Sequence, residues 1–175
     1  LAFSYDEEVG CKGAPGLIED LLHSLPPPEG CLVGEPTLLR VIDGHKGKAG
    51  YRCTITGREG HSAYPELGAN AVIAAARLIG EVASMGEWFA RSGPFADGFR
   101  PPHHTASIGR IEGGTQLNII PNHCAFEFEF RTLPGVDPQR LIAEVRRFAE
   151  ESVLPGLRHR APEAAITFEE ILAYP

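Results

Sequence analysis

The sequence lacks the features of membrane-spanning, exported and nucleic-acid-binding proteins. None of its apolar runs approaches the roughly 20 residues that span a bilayer, and its first residues lack the basic-then-apolar pattern of a secretory leader. It has no basic run, and 16 Lys and Arg face 23 Asp and Glu, which gives a net charge of −7. An anionic membrane or a nucleic-acid backbone is therefore an unfavourable partner, and we expect a cytoplasmic location.

Cysteine is scarce and scattered. Cys11, Cys31, Cys53 and Cys124 form no C-x-x-C pair and have no neighbouring histidine at zinc-finger spacing, so we expect reduced thiols. The 175 residues suffice for one large domain or two small ones. Because the sequence opens on an apolar run at Leu1, we interpret it as a fragment of a longer protein.

The first 45 residues have the pattern of a strand, a helix and a second strand. Residues 1–5 predict a short buried strand, residues 16–25 a helix that ends at a triple proline, and residues 31–33 another strand. This order is typical of a parallel α/β sheet. Residues 1–45 are therefore predicted to form part of such a sheet.

From about residue 46 to residue 174 the pattern is that of a mixed α+β domain. Alternating apolar residues predict strands, and apolar stripes at helical spacing predict helices. The predicted order is a strand from 47, a helix over 70–85, a strand over 105–112, strand pieces within 117–131, a helix from 137 to about 155, and a strand over 166–172. This β-α-β-β-α-β order predicts a ferredoxin-like sandwich, with two helices on one face of an antiparallel sheet.

Three carboxylates follow the two strands predicted in the first 45 residues. Glu7 and Glu8 come after the first strand, and Glu35 comes after the second. Carboxylate oxygens can hold a divalent ion, and a carboxylate that is not a ligand can take a proton from metal-bound water. The alternative is a solvated acidic turn after a strand.

Two further residues have side chains suited to binding or catalysis. His61 lies in a turn-rich segment between a predicted strand and helix, and its imidazole could donate to a developing oxyanion; a surface or capping role is the alternative. Arg131 could grip a substrate carboxylate, or it could pair with Glu127 and Glu129 on the polar face of its strand. His103 and His104 suggest no role.

Four ordered segments resemble the M20 family of metal-dependent amidohydrolases. They are residues 4–10 (SYDEEVG), 33–37 (VGEPT), 57–62 (GREGHS) and 113–122 (GGTQLNIIPN). Residues 3–11, 44–47 and 126–135 are most similar to the acetylornithine deacetylase branch, whereas residues 60–65 are closer to the wider family. In such enzymes a catalytic domain carries a smaller lid, or dimerisation, domain with the ferredoxin-like topology. The resemblance implies that residues 1–45 are a remnant of the catalytic domain and that residues 46–174 are the complete lid domain.

The resemblance implies a role for each matching residue. Glu7 would be the general base, and Glu8 and Glu35 would each bind one of two divalent metal ions, zinc or cobalt. His61 would reach from the lid into the active site of a partner subunit and stabilise the oxyanion. Asn118 and Arg131 would contact an N-acyl amino acid substrate. The expected assembly is a homodimer formed through the lid domain.

The chain also departs from the family pattern. The His-x-Asp motif and bridging aspartate of the family's metal site, and its downstream histidine, have no counterpart here. We therefore expect that the isolated chain binds no catalytic metal tightly and is inactive by itself. For the parent protein, the resemblance implies a deacetylase of the acetylornithine branch. The alternatives to this function are another M20 deacylase, acting for example on acetylcitrulline or succinyl-diaminopimelate, and a dimerisation module without catalysis.

Overall fold

The chain divides into two structural units. The computed structural model describes residues 1–8 and 10–175, and these fall into Leu1–Asp43 and Gly44–Pro175. No helix among these residues has the length and apolarity needed to cross a membrane.

Leu1–Asp43 contains one helix, α1, over Ala14–Ser24, with a proline in its first turn. The predicted helix is thus confirmed, with a start two residues earlier. The predicted strands at residues 1–5 and 31–33 are wrong, because no strand forms among the described residues of this unit. Parallel strands are buried on both faces and require hydrogen-bonded neighbours. Here Phe3 is largely exposed and Leu32 is fully exposed, so no described residue of the unit covers such strands.

Gly44–Pro175 has the predicted ferredoxin-like topology. The strands of its main sheet are β1 (Gly47–Thr56), β3 (Thr105–Gly113), β5 (His123–Thr132) and β6 (Ala165–Tyr174), and a short β2 (Gly60–His61) and β4 (Ile119–Ile120) form a separate ribbon. The main sheet has the order β3-β5-β1-β6, and each strand is antiparallel to its neighbour. The helices are α2 (Ala71–Ser92), α3 (Pro138–Phe148) and α4 (Leu154–Arg160). The α+β prediction is confirmed for this unit.

Three phenylalanines of β5 form the centre of the core. Phe126, Phe128 and Phe130 are buried, and successive ring centroids lie 5.5 and 5.8 Å apart. Tyr51 of β1 packs beside them, with its ring 5.7 Å from that of Phe128. Since alternate residues of a strand face opposite sides, the charged residues between the phenylalanines lie on the other face of the sheet.

Tyr51 carries the one buried side-chain polar atom that has no hydrogen-bond partner among the described residues. Burial raises the pKa of its phenol. Because an unsatisfied buried hydroxyl costs about 1–3 kcal/mol, Tyr51→Phe should leave the free energy of unfolding unchanged or raise it. Urea unfolding of the chain and its variant measures the difference, and a loss above about 1 kcal/mol would contradict this expectation.

The helix predicted to end near Pro155 continues past it. After α3 the chain forms a π-turn over Ala149–Val153 and then α4. The Leu154 amide donates to the Ala149 carbonyl, five residues back. Proline lacks an amide hydrogen and so cannot make the usual helical bond, and the wider turn accommodates it without ending the helix. The predicted end is therefore wrong.

His104 is a buried imidazole immediately before β3. Its Nδ1 accepts a hydrogen bond from the Leu133 amide at 2.9 Å, and its ring lies edge-on to Phe89 of α2, with centroids 5.3 Å apart. The charged and titratable groups near it are Lys46 and His103. Burial lowers the pKa of His104, and the charges of Lys46 and His103 lower it further.

Acid should therefore destabilise this unit through His104. The unfolded chain protonates the imidazole near the ordinary histidine pKa of about 6.5, whereas the folded chain does so only at a lower pH. The contribution of His104 to the free energy of unfolding is therefore complete at pH values above the unfolded pKa. It is lost as the pH falls from the unfolded pKa toward the lower folded pKa. Urea unfolding across this range should show a smaller loss for His104→Gln than for the unchanged chain. His103→Gln should retain the loss, and equal acid sensitivity in His104→Gln would contradict the assignment.

Candidate functional site

The ribbon of β2 and β4 brings two of the predicted site residues together. His61 is paired with Ile119, and the Ser62 amide donates to the Asn118 carbonyl at 3.0 Å. His61 and Asn118 are therefore neighbours across the ribbon, although 57 positions separate them in the sequence. Both residues are exposed.

Close backbone contacts hold this ribbon at the end of the main sheet. The Gly57 amide donates to the Asn122 carbonyl at 2.7 Å, and Arg58 and Ala69 exchange two backbone hydrogen bonds of 3.0 Å. A Cβ at Gly57 would lie 2.0 Å from the Ala69 carbonyl oxygen. Only glycine allows this approach, which accounts for the first residue of the GREGHS segment.

The turn that follows His61 orients its imidazole. The Ala63 amide donates to Nδ1 at 3.1 Å, and the Tyr64 amide donates to the His61 carbonyl at 2.9 Å. The Tyr64 ring lies beside the imidazole, with centroids 6.1 Å apart. Since Nδ1 accepts, the neutral ring carries its proton on Nε2, where it can be donated outward. Sequence reasoning missed Ala63 and Tyr64, because the ring–amide contact depends on the turn geometry.

Arg131 lies at the other end of the sheet. It is eight residues from the start of β5 at His123, which at about 3.4 Å per residue places it about 27 Å along the strand. Its Nε donates to Glu129 at 2.8 Å, and Lys48 lies 3.1 Å from the same carboxylate. Burial raises the pKa of Glu129, but the hydrogen bonds from Arg131 and Lys48 outweigh it and lower the pKa overall. The predicted pairing with a glutamate is thus observed, and a role in substrate binding stays a prediction.

The three predicted metal-site carboxylates are exposed in the first unit. Glu7, Glu8 and Glu35 are all exposed to solvent. The backbone carbonyl of Glu7 accepts hydrogen bonds from the Gly10 and Cys11 amides, both at 3.0 Å. Among the described residues no group of three or more His, Cys, Asp or Glu side chains is placed to hold a metal ion. The described residues of this chain therefore do not form a complete metal site by themselves.

Comparison with known proteins matches this chain to peptidases and related amide hydrolases. The profile of the peptidase dimerisation domain (M20) matches residues 43–156. A relative from Myxococcus xanthus named acetylornithine deacetylase is 36% identical over 148 residues, which are 85% of this chain and 38% of that protein. A relative from Aspergillus terreus named probable carboxypeptidase is 37% identical over 122 residues, 69% of this chain and 28% of that protein. The chain thus spans well under half the length of either.

A solved structure has a fold similar to that of this chain. An amidase of the hydantoinase/carbamoylase family from Burkholderia multivorans aligns with a TM-score of 0.53 and 20% sequence identity. The alignment covers 74% of this chain and 28% of that one.

Proposed function

Because this chain belongs to the M20 family through its peptidase dimerisation domain, we propose that it is part of a metal-dependent hydrolase that converts N2-acetyl-L-ornithine to L-ornithine and acetate. The similarity to proteins named acetylornithine deacetylase supports this substrate. Two divalent metal ions would supply a hydroxide-like nucleophile in the full-length enzyme. Glu7 as general base and Glu8 and Glu35 as metal ligands remain part of the proposal.

The observation that carries the proposal is the exposed pair of His61 and Asn118 on the ribbon. Attack on an amide carbonyl places negative charge on its oxygen, and a hydrogen-bond donor fixed in advance stabilises that charge. The Nε2 proton of His61 is such a donor, because the Ala63 amide occupies Nδ1. The Asn118 amide, on the neighbouring strand, would bind the substrate beside it.

Asn118 gives a direct test of the substrate-binding role. In the full-length enzyme, Asn118→Ala should raise KM for N-acetyl-ornithine about tenfold, because one hydrogen bond to the substrate is lost. The neighbouring exposed Gln116 offers a matched control, and Gln116→Ala should leave KM unchanged. An unchanged KM in Asn118→Ala, or equal effects of both substitutions, would count against the assignment.

The positions of the site residues at opposite ends of β5 support a proposal in which one lid serves two active sites. His61 and Asn118 lie beyond the start of β5, whereas Arg131 lies near its end, beside the start of β1 at Gly47 and the end of β6 at Tyr174. One small substrate cannot reach both ends of the strand. We therefore assign Arg131 to the site of its own subunit, and His61 with Asn118 to the site of the partner in a homodimer.

The dimer contact proposed here uses β3, one of the two edge strands. Ile111 of β3 is 55% exposed, and the adjacent helix α2 exposes Ile73 and Trp88 to a similar degree. Two β3 strands can pair antiparallel across a two-fold axis, which would cover this apolar surface. The second unit would then act as the dimerisation module of the enzyme.

Light scattering tests this contact. The chain should have twice its monomer mass of 18.9 kDa at micromolar concentration. Ile111→Lys should give the monomer, because a charge on the pairing edge would be buried. Ile171→Lys, a similarly exposed position on the opposite edge strand β6, should remain a dimer. A monomeric unchanged chain, or dissociation only by Ile171→Lys, would contradict the assignment.

A second candidate substrate class has specific support. The relative named probable carboxypeptidase is as similar as the first deacetylase, which favours testing the release of C-terminal amino acids. The full-length enzyme should be assayed on N-acetyl-ornithine, N-acetyl-citrulline, succinyl-diaminopimelate and an N-blocked dipeptide. Preference for N-acetyl-ornithine supports the proposed function, and preference for any of the others replaces it within the family.

A further inference from the structure

A cavity of about 570 Å³ lies between the edge strand β6 and the helical segment formed by α3, the π-turn and α4. It has an apolar floor and two arginines. Its lining residues are Arg146, Ala149, Glu150, Leu154, Arg158, Ile166, Thr167 and Phe168. This cavity is separate from the ribbon that carries His61.

Neither arginine of the cavity has a carboxylate partner within 4 Å among residues 1–8 and 10–175. The Arg146 guanidinium lies over the Phe168 ring, 5.2 Å from its centroid. Arg158 donates through Nε to the Ala164 carbonyl at 3.1 Å, which leaves its two terminal nitrogens available. Most arginines on the open face of the sheet, by contrast, are paired with glutamates.

The π-turn places the two arginines on the same side of the helical segment. Twelve residues of regular α-helix would rotate position 158 about 120° away from position 146. One extra residue taken up by the turn over Ala149–Val153 reduces this rotation to about 20°. Arg146 and Arg158 therefore both face β6, with Glu150 between them on the same wall of the cavity.

The spacing of the two guanidinium groups identifies the kind of ligand. Arg158 is hydrogen-bonded to Ala164, and Arg146 lies over the ring of Phe168. These two anchor residues are four positions apart, which corresponds to about 13 Å in an extended chain. A single carboxylate or phosphate cannot reach both groups. An extended peptide places the side chains of its first and fifth residues on one face at this same spacing.

We propose that this cavity binds an extended acidic peptide segment that runs along β6. The acidic side chains at the first and fifth positions of the segment pair with Arg146 and Arg158. An apolar side chain at the third position packs on the floor of the cavity, where Glu150 disfavours a further acid. β6 pairs only with β1 among the described strands, so apart from the Phe168 carbonyl, which accepts from Arg146 Nη2 at 3.5 Å, its outer edge is available to hydrogen-bond the added strand. This inference does not depend on the proposed hydrolase activity.

Fluorescence anisotropy with labelled peptides tests the proposal on the 175-residue chain. The probe contains Glu-Thr-Val-Thr-Glu, and a second peptide, Glu-Thr-Val-Glu-Thr, has the same composition with the second acid moved to the other face of the strand. We expect the first peptide to bind at least tenfold more tightly. Arg146→Gln and Arg158→Gln should each weaken its binding about tenfold or more, since each removes a charge-assisted hydrogen bond.

Two matched variants complete the test. Arg140→Gln, on an exposed position of α3 outside the cavity, should leave the affinity unchanged. Glu150→Gln should tighten binding, because it removes the carboxylate beside the peptide. Equal binding of the two peptides, no effect of either cavity arginine, or no binding of the first peptide at millimolar concentration would overturn the proposal. Competition by free glutamate or inorganic phosphate at the same concentration as the peptide would also overturn it, since it would indicate a small-anion site.

Discussion

Replacing His61 with alanine in the full-length enzyme should lower kcat for N-acetyl-ornithine about 10²–10³-fold, with KM changed by less than about threefold. That is the usual cost of removing one donor to a developing oxyanion, a contact that strengthens only in the transition state. The side chain is exposed and makes no contribution to the core, so the variant should fold normally. Steady-state kinetics measures the two constants separately.

His159 provides the control for His61. It is also an exposed histidine, at the end of α4, and His159→Ala should leave both constants unchanged. His61→Gln retains a donor and should recover part of the lost kcat. If His61→Ala raised KM alone, or lowered the free energy of unfolding as much as it lowered kcat, the imidazole would be a binding or structural group and not an oxyanion donor.

Gly57→Ala should have the largest effect on structure among single small substitutions in the second unit. A methyl group there would lie 2.0 Å from the Ala69 carbonyl oxygen, and that oxygen belongs to rigid backbone. The clash would separate Arg58 from Ala69 and shift the ribbon that carries His61. We expect a loss of about 1–3 kcal/mol in the free energy of unfolding and, in the full-length enzyme, a loss of kcat approaching that of His61→Ala.

Gly80→Ala is the matched control for Gly57→Ala. Gly80 lies within α2, and a Cβ there would meet nothing within 4 Å. Alanine has the higher helix propensity, so this variant should gain about 0.5–1 kcal/mol. Urea unfolding resolves the opposite signs. Equal stability of the two variants would contradict the close approach seen at Gly57.

The regular parts of the second unit could be predicted from local patterns. Alternation around Phe126, Phe128 and Phe130 defined a half-buried strand, and Asp137 followed by Pro138 defined the start of a helix, where the Asp137 side chain accepts from the Gln139 amide. Each pattern reflects contacts that lie within the element or directly against it.

Within the first 45 residues, the helix could be predicted in this way but the two strands could not. Their apolar runs have the composition of buried strands, but a strand requires neighbours, and the described residues of that unit supply none. The prediction that the helix ends near Pro155 was wrong for a related reason. Proline stops a regular α-helix, but a π-turn accommodates it, and local sequence does not distinguish the two.

The candidate site was predictable by residue type but not by arrangement. The residues pointed to His61 and Arg131, and the family resemblance added Asn118. The structure brings His61 and Asn118 side by side and places Arg131 at the far end of β5. That separation follows from the direction of the strands, which motif spacing does not reveal. The metal-site carboxylates Glu7, Glu8 and Glu35 remain predictions, because the residues needed to complete a site are not among those described.

In the proposed homodimer, His61 of one subunit completes the active site of its partner, which contains Glu7. Complementation between inactive variants tests it directly. Full-length Glu7→Gln and His61→Ala proteins, each with a different tag, are mixed under conditions that exchange subunits, and the hybrid dimers are purified and assayed. If His61 acts in the partner's site, each hybrid contains one complete site and should show about half the wild-type activity per dimer. Hybrids with no more activity than the parent variants would contradict the assignment of His61 to the partner's site.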